Sequence, residues 1–283
     1  MCRGFPRAMD PGMPPDPLLR VEALSKRYFR SRFFRAAASD ATPAAFEDLT
    51  FSLGRGELLG LVGASGAGKS TLARALALVE PPDSGQVLFE GHDLWAGTGR
   101  ERAGWRARIQ LIPQQPAASL NPRFTAAEIV SEPLVVQRRG NRADQRRMAA
   151  KWMERAGLDP GSLDRRALEF SGGERQRLAI ARALILEPAL VILDESFAGL
   201  DLSVQGQIAR LIGELRRDRG LTCILITHDL ALAAAMADEI AVMDAGRIVE
   251  SGRASLLVAH PRQARTRELL DAAMALSLAE PAP

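Results

Sequence analysis

Residues 58–71 read LLGLVGASGAGKST, an apolar run that breaks into a glycine-rich loop ending in a lysine and two hydroxyls, and the helix-prone LARALALVE follows directly. Strand, glycine loop and helix in that order form an anion cradle. Gly63, Gly66 and Gly68 let the backbone curl so that successive N–H groups point inward, and the helix adds its positive N-terminal end. Ala64, Ser65 and Ala67 complete the curl. Lys69 is placed to reach the β and γ phosphates of a nucleotide, the Ser70 hydroxyl to ligate Mg²⁺, and Thr71 to continue the helix. Only three of the 37 basic residues are lysines, which makes Lys69 conspicuous.

An ordinary glycine-rich turn would not need a second acidic motif, and this chain has one. LVILDE, residues 190–195, is an apolar strand that delivers Asp194 and Glu195 at its carboxyl end. Asp194 is expected to hold the metal, directly or through water, and Glu195 to polarise a water for in-line attack on the γ phosphate.

The runs LVILD, CILIT and IAVM are short, apolar and uninterrupted, as in strands buried on both faces of a parallel sheet. Before the glycine loop, LLRVEALSKRYF and AFEDLTFSL alternate in character, as does QVLFEG after it, which predicts an antiparallel sheet. From Ala126 to Leu186 the strand signals vanish. There NRADQRRMAAKWMERAGL places Met148, Trp152 and Ala156 on one helix face at a spacing of four, a core stripe rather than a cofactor site. The expected fold class is therefore α/β: a mainly parallel sheet flanked by helices, with an N-terminal antiparallel β subdomain and a helical insertion at about 120–187. Residues 1–17, rich in Pro and Gly, are expected to be disordered, and residues 29–43 to form a basic aromatic loop.

Composition narrows the function classes. A formal charge of +3, with 37 basic residues set against 34 acidic ones, is too weak to argue for a nucleic-acid partner. Cys2 and Cys223 form no disulfide framework, and Cys223 reads as a reduced core thiol. No run reaches the length of a membrane span and the opening MCRGFPRAMD lacks an apolar signal core, so a membrane role is expected to come through a partner.

FSGGERQRLAIARAL, from residue 170, opens a second glycine-led helix. One phosphate loop accommodates one triphosphate, so the second opening is expected to serve a nucleotide held by another molecule. With FSGGE as its signature motif, the chain resembles the nucleotide-binding subunit of an ATP-binding cassette (ABC) transporter, over nearly its whole length and in the order of its motifs. In that family two subunits pair head to tail. The resemblance implies that Ser171, Gly172, Gly173 and Glu174 close over the γ phosphate of ATP bound to the partner subunit. It also implies a Q-loop glutamine at Gln114, meeting Mg²⁺ or its water, a D-loop Asp201 facing the dimer seam, and a switch histidine at His228. Tyr28, the only tyrosine, lies where the family stacks an aromatic ring on adenine; packing at a strand end is the competing reading.

The stretches ASLNPR, SEPL, DLSVQGQI and HPRQARTRELL particularly resemble the oligopeptide, dipeptide and nickel permease branch. That branch implies ATP and Mg²⁺ as cofactors, a second ATPase subunit that is unlike or identical, two transmembrane permease subunits and, indirectly, an extracytoplasmic solute-binding protein. It also implies a place on the cytoplasmic face of the inner membrane, a nucleotide-binding domain over 18–260 and a C-terminal extension over 261–283. Departures from the pattern are Glu174 for Gln, Pro113 for an aromatic, SFAG for PTSA and Arg265 for Tyr. A cassette serving a soluble system such as phosphonate breakdown is the alternative reading.

Overall fold

The structure is a computed structural model, and it describes residues 16–28, 44–197 and 199–279. The expected disordered N-terminus, apart from its last two residues, and the basic aromatic loop at 29–43 lie outside the described residues, as does Ala198 of SFAG.

Two sheets organise the chain. Strands β1 (Leu19–Arg27) and β2 (Ala44–Leu53) pair antiparallel, and β3 (Leu58–Gly63) leads into α1 (Lys69–Leu76). Strand β4 (Ser84–Phe89) returns to lie antiparallel on β1 and carries the two-residue β5 (His92–Asp93), so the first sheet has the order β2-β1-β4-β5. Helix α2 (Gly99–Arg108), opened by a Thr98–Glu101 capping box, feeds β6 (Ile109–Ile112). Three helices follow: α3 (Ala126–Val136), α4 (Arg142–Arg155) and α5 (Gly172–Leu184). They pack on one another. Trp152 and Ala156 are buried there and Met148 packs against the same cluster, so the expected stripe is core.

The remaining elements alternate: β7 (Leu190–Asp194), α6 (Leu202–Arg219), β8 (Thr222–Thr227), α7 (Leu230–Met236), β9 (Glu239–Asp244), β10 (Arg247–Arg253), α8 (Ala254–Ala259) and α9 (Ala264–Ala279). The second sheet has the order β10-β9-β3-β8-β7-β6. Its neighbours from β9 through β6 are parallel, and only β10 runs antiparallel, at the edge. Every residue of β3, β7 and β8 is buried, which is why their sequences are unbroken apolar runs. Cys223 sits fully inside on β8, where burial pushes its thiol up to about 12 and keeps it unreactive.

Strands β5, β6 and β10 have no counterpart among the sequence expectations. β6 is four residues long and depends on pairing with β7, while β10 is polar and half-exposed and depends on β9. Glu250 of β10 anchors the last helix: it accepts from the N–H groups of Arg262 and Gln263 at 2.9 and 3.0 Å, and from the buried Thr266 hydroxyl.

Candidate functional site

The glycine loop leaves the carboxyl end of β3 at the middle of the parallel sheet, where crevices in open α/β sheets collect ligands. Two of its glycines are obligatory for steric reasons. A Cβ on Gly63 would stand 2.1 Å from the Met243 carbonyl oxygen, and one on Gly68 would stand 2.0 Å from that of Ala45, at a φ of +97°. Gly66 instead supplies conformation, with φ +80° and open space around it. No backbone acceptor among the described residues takes the N–H groups of Gly66, Gly68, Lys69 or Ser70, while Ala67 N–H closes the loop on the Ala64 carbonyl at 3.2 Å. Ser65 is exposed beside Gly66. The result is a row of free donors at the start of α1.

Lys69 is folded back into this loop. Its ammonium donates to the carbonyls of Gly63 at 2.7 Å and Ala64 at 2.9 Å, and the residue is only 4% exposed. Burial pulls its pKa below the usual lysine range, and the Glu195 and Asp194 carboxylates oppose that pull. Asp194, the last residue of β7, accepts from the Ser70 hydroxyl at 3.0 Å. Burial raises its pKa, with the Ser70 bond acting in the other direction. A hydroxyl and a carboxylate in contact form an all-oxygen donor set of the kind Mg²⁺ takes together with phosphate and water.

One residue further along, Glu195 gathers two of the predicted partners. Gln114, beyond the end of β6, donates its side-chain amide to Glu195 Oε2 at 2.7 Å, and His228 Nδ1, beyond the end of β8, lies 3.8 Å from Oε1. Adjacency of β6, β7 and β8 brings these three side chains together at one end of the sheet. Gln114, expected to meet Mg²⁺ or its water, here holds the Glu195 carboxylate.

The other predicted residues are placed by helix ends. Ser171 caps α5 in a reciprocal box: its hydroxyl accepts from Glu174 N–H at 3.3 Å, and its own N–H donates to Glu174 Oε2 at 2.7 Å. That bond holds the Glu174 carboxyl below its usual range. Gly172 has no atom near a would-be Cβ, and for Gly173 the nearest, on Leu200, is 3.9 Å away. Asp201 caps α6 by accepting from Val204 N–H at 2.9 Å. Tyr28, just past β1 and 44% exposed, donates to Glu80 at 2.8 Å and accepts from Arg74 at 3.2 Å, which ties its ring beside the end of α1. Arg74 and Glu80 went unnamed in the sequence reading; Thr71, which accepts from Arg74 at 3.1 Å, joins them to the loop.

A glycine cradle at the mouth of a parallel sheet, with a buried lysine and a serine–aspartate pair, defines a P-loop nucleoside triphosphatase. Comparison with known proteins narrows this. Residues 46–198 match the family model described as ABC transporter. A putative peptide import ATP-binding protein of Brucella ovis is 41% identical over 256 residues, spanning 90% of this chain and 78% of its own. The dipeptide transport ATP-binding protein DppF of Escherichia coli is 38% identical over 257 residues, spanning 90% and 76%. Among solved structures, a dimeric ATP-binding cassette in a post-hydrolysis state bound to ADP and Pi superposes with a TM-score of 0.75 at 25% identity, covering 83% of this chain and 98% of that one. cbiO1 from Clostridium perfringens, part of the cbiONQ transporter complex, gives 0.72 at 28% identity, covering 87% and 92%. The chain belongs to the ABC transporter family and is an ATPase.

Proposed function

We propose that the chain binds MgATP in the Gly63–Thr71 loop and hydrolyses it as one of two ATPase subunits driving an importer for peptides, nickel or similar small solutes. The observation that carries the chemical part is the convergence of Gln114, Glu195 and His228 just beyond the Ser70–Asp194 pair. The cargo class is supported by the named roles of the peptide and dipeptide import relatives.

On this reading the free N–H groups at the start of α1 and the Lys69 ammonium bind the β and γ phosphates. When bound, Mg²⁺ adds positive charge at the transferring phosphoryl oxygens, with Ser70 and Asp194 as its protein partners. Glu195 takes the proton of the attacking water. The Gln114 amide keeps one carboxylate oxygen aimed, which leaves Oε1 on the His228 side to act as base. His228 is mostly exposed, as suits a group that meets the γ phosphate only when the nucleotide arrives.

Ser171, Gly172, Gly173 and Glu174 present the start of α5 to the ATP of a partner subunit, like or unlike, so that closure buries two nucleotides. Asp201 lies along the same seam, and Tyr28 offers its ring to adenine. Residues 18–260 form the nucleotide-binding domain, with the helical subdomain at about 120–187 and an extension at 261–283. Two permease subunits hold the pair on the cytoplasmic face of the inner membrane and receive cargo from an external solute-binding protein. Among the described residues no helix is long and apolar enough to cross a membrane, so attachment is assigned to the permeases.

The test is the composition of the complex that co-purifies with this chain from gently solubilised native membranes. Two permeases with a second ATPase are expected. Recovery from the soluble fraction with a metabolic enzyme would refute the transport reading and leave the ATPase standing.

A further inference from the structure

The turn at 195–201 carries both Glu195 and Asp201, yet its described residues belong to no ladder and no helix. Three of its carbonyls are held by side-chain amides from two different helices. Gln176, in the second turn of α5, donates to the Ser196 carbonyl. Both partners are inside the protein, Gln176 at 9% and Ser196 at 1% exposure. Gln205, in the first turn of α6, donates to the Phe197 carbonyl at 3.1 Å and the Leu200 carbonyl at 3.3 Å. Glu195 starts the turn at a φ of +47° and is fixed on its other side by its N–H, which donates to the Ile226 carbonyl of β8 at 2.9 Å. A left-handed conformation at a glutamate persists only where its surroundings over-determine it.

We propose that Gln176 is a positioning residue. Its amide ties the helix that opens with Ser171–Glu174 to the carbonyl directly after Glu195, so that docking of this helix on a triphosphate held by the partner subunit aligns the base in the chain's own site. The inference rests on the reading of Glu195 as base and of the α5 opening as a clamp on the partner's nucleotide.

The physical case is one of rigidity and burial. A regular α-helix moves as a rod, and five residues along it correspond to about 7–8 Å at ~1.5 Å per residue, so a displacement at Ser171 is carried undiminished to Gln176. The bond at its far end cannot be exchanged for water without cost, because both the amide and the Ser196 carbonyl are shielded from solvent. Sliding α5 against the turn would orphan a buried donor and a buried acceptor together, which is more expensive than dragging Ser196 along. Gln205, in contrast, sits on α6 and moves with Asp201; it holds the far half of the turn to its own helix. Of the two, only Gln176 bridges the clamp and the catalytic carboxylate.

Gln176→Leu removes the amide at similar volume. In the full chain assembled with its ATPase partner, steady-state hydrolysis is expected to show kcat lowered about 10- to 100-fold, the scale of a misplaced reacting group. The half-saturating ATP concentration is expected to stay unchanged. The decisive readout is the double variant: in a Glu195→Gln background, Gln176→Leu is expected to cause no further loss, since it acts through Glu195. A general structural role would slow both backgrounds equally, and that result, or a kcat within twofold of the parent, overturns the proposal. Should Gln176→Leu fail to fold, Gln176→Glu keeps the shape but sets acceptor against acceptor, and the same criteria apply. Failure of the underlying reading looks different: Glu195→Gln alone would then turn over at close to the parent rate.

Discussion

Replacing Gly68 by alanine asks whether the phosphate loop and the antiparallel sheet are in hard contact. The added Cβ would lie 2.0 Å from the Ala45 carbonyl oxygen, about 1 Å inside the closest approach that real Cβ atoms show, so loop or strand must move by that amount. Strand β2 cannot yield freely. Its Phe46 is fully buried, and the next residue donates its N–H to the Gly246 carbonyl at 2.9 Å. The φ of +97° adds strain of about 1–2 kcal/mol for a residue with a side chain. Overpacking adds about 1–3 kcal/mol, for a total of roughly 2–5 kcal/mol. Gly66→Ala is the internal control, because φ is +80° there but nothing lies within 4 Å of the new carbon, so only the strain applies. For a chain of this size each kcal/mol moves the melting temperature by about 2–4 °C, so Gly68→Ala should lower it by roughly 4–20 °C and Gly66→Ala by roughly 2–8 °C, with the larger shift at Gly68. Thermal unfolding of both variants without nucleotide gives the answer. Equal shifts would refute the contact argument and leave conformational strain as the whole effect.

Three further outcomes follow from named groups. Glu195→Gln is expected to retain ATP binding and to slow hydrolysis about 10²- to 10⁴-fold, the range for a lost general base; single-turnover kinetics decide it, and near-parent turnover would remove Glu195 from that role. Ser196 is almost fully buried and its hydroxyl has no partner among the described residues, so Ser196→Ala should stabilise the chain by about 1 kcal/mol, read as a higher urea midpoint at unchanged slope. A lower midpoint would mean that the hydroxyl is satisfied. Glu90 accepts from Arg108 and Arg55, and Arg108 above all holds its carboxyl down at about 2 from 4.5. A depressed carboxylate stabilises the fold above its unfolded pKa, and the gain is lost as pH falls from about 4.5 toward 2. For partners this exposed the gain is about 0.2–1 kcal/mol after solvent screening. Glu90→Gln should therefore flatten the acid limb of stability against pH, and an unchanged limb would discount the pair.

Much of the nucleotide site is legible in the sequence because it is built from chain-local geometry. LLGLVGASGAGKST becomes strand, loop and helix through its own φ preferences and donors, and Ser171–Glu174 caps α5 within four residues. The buried strands β3, β7 and β8 were equally visible, since a strand covered on both faces must be apolar throughout. Strands β6 and β10 were not: one is too short and the other too polar to declare itself, and each exists because a neighbour supplies its ladder. The same holds at the site. Gln114, Glu195 and His228 carry recognisable chemistry in the sequence, but their contact depends on β6, β7 and β8 lying side by side in register. Asp201, assigned to a seam, also spends a carboxylate oxygen on capping α6. Gln176 and Gln205 left no signal, because a side-chain amide declares its role only when a distant carbonyl is brought to it. The glycine loop, the acidic strand end and the glycines that open α5 can be read from the residues alone, because they follow from short-range sterics and hydrogen bonding. Tertiary structure alone decided which of these chemical groups touch, because strand order and register set distances between residues that the chain places tens of positions apart.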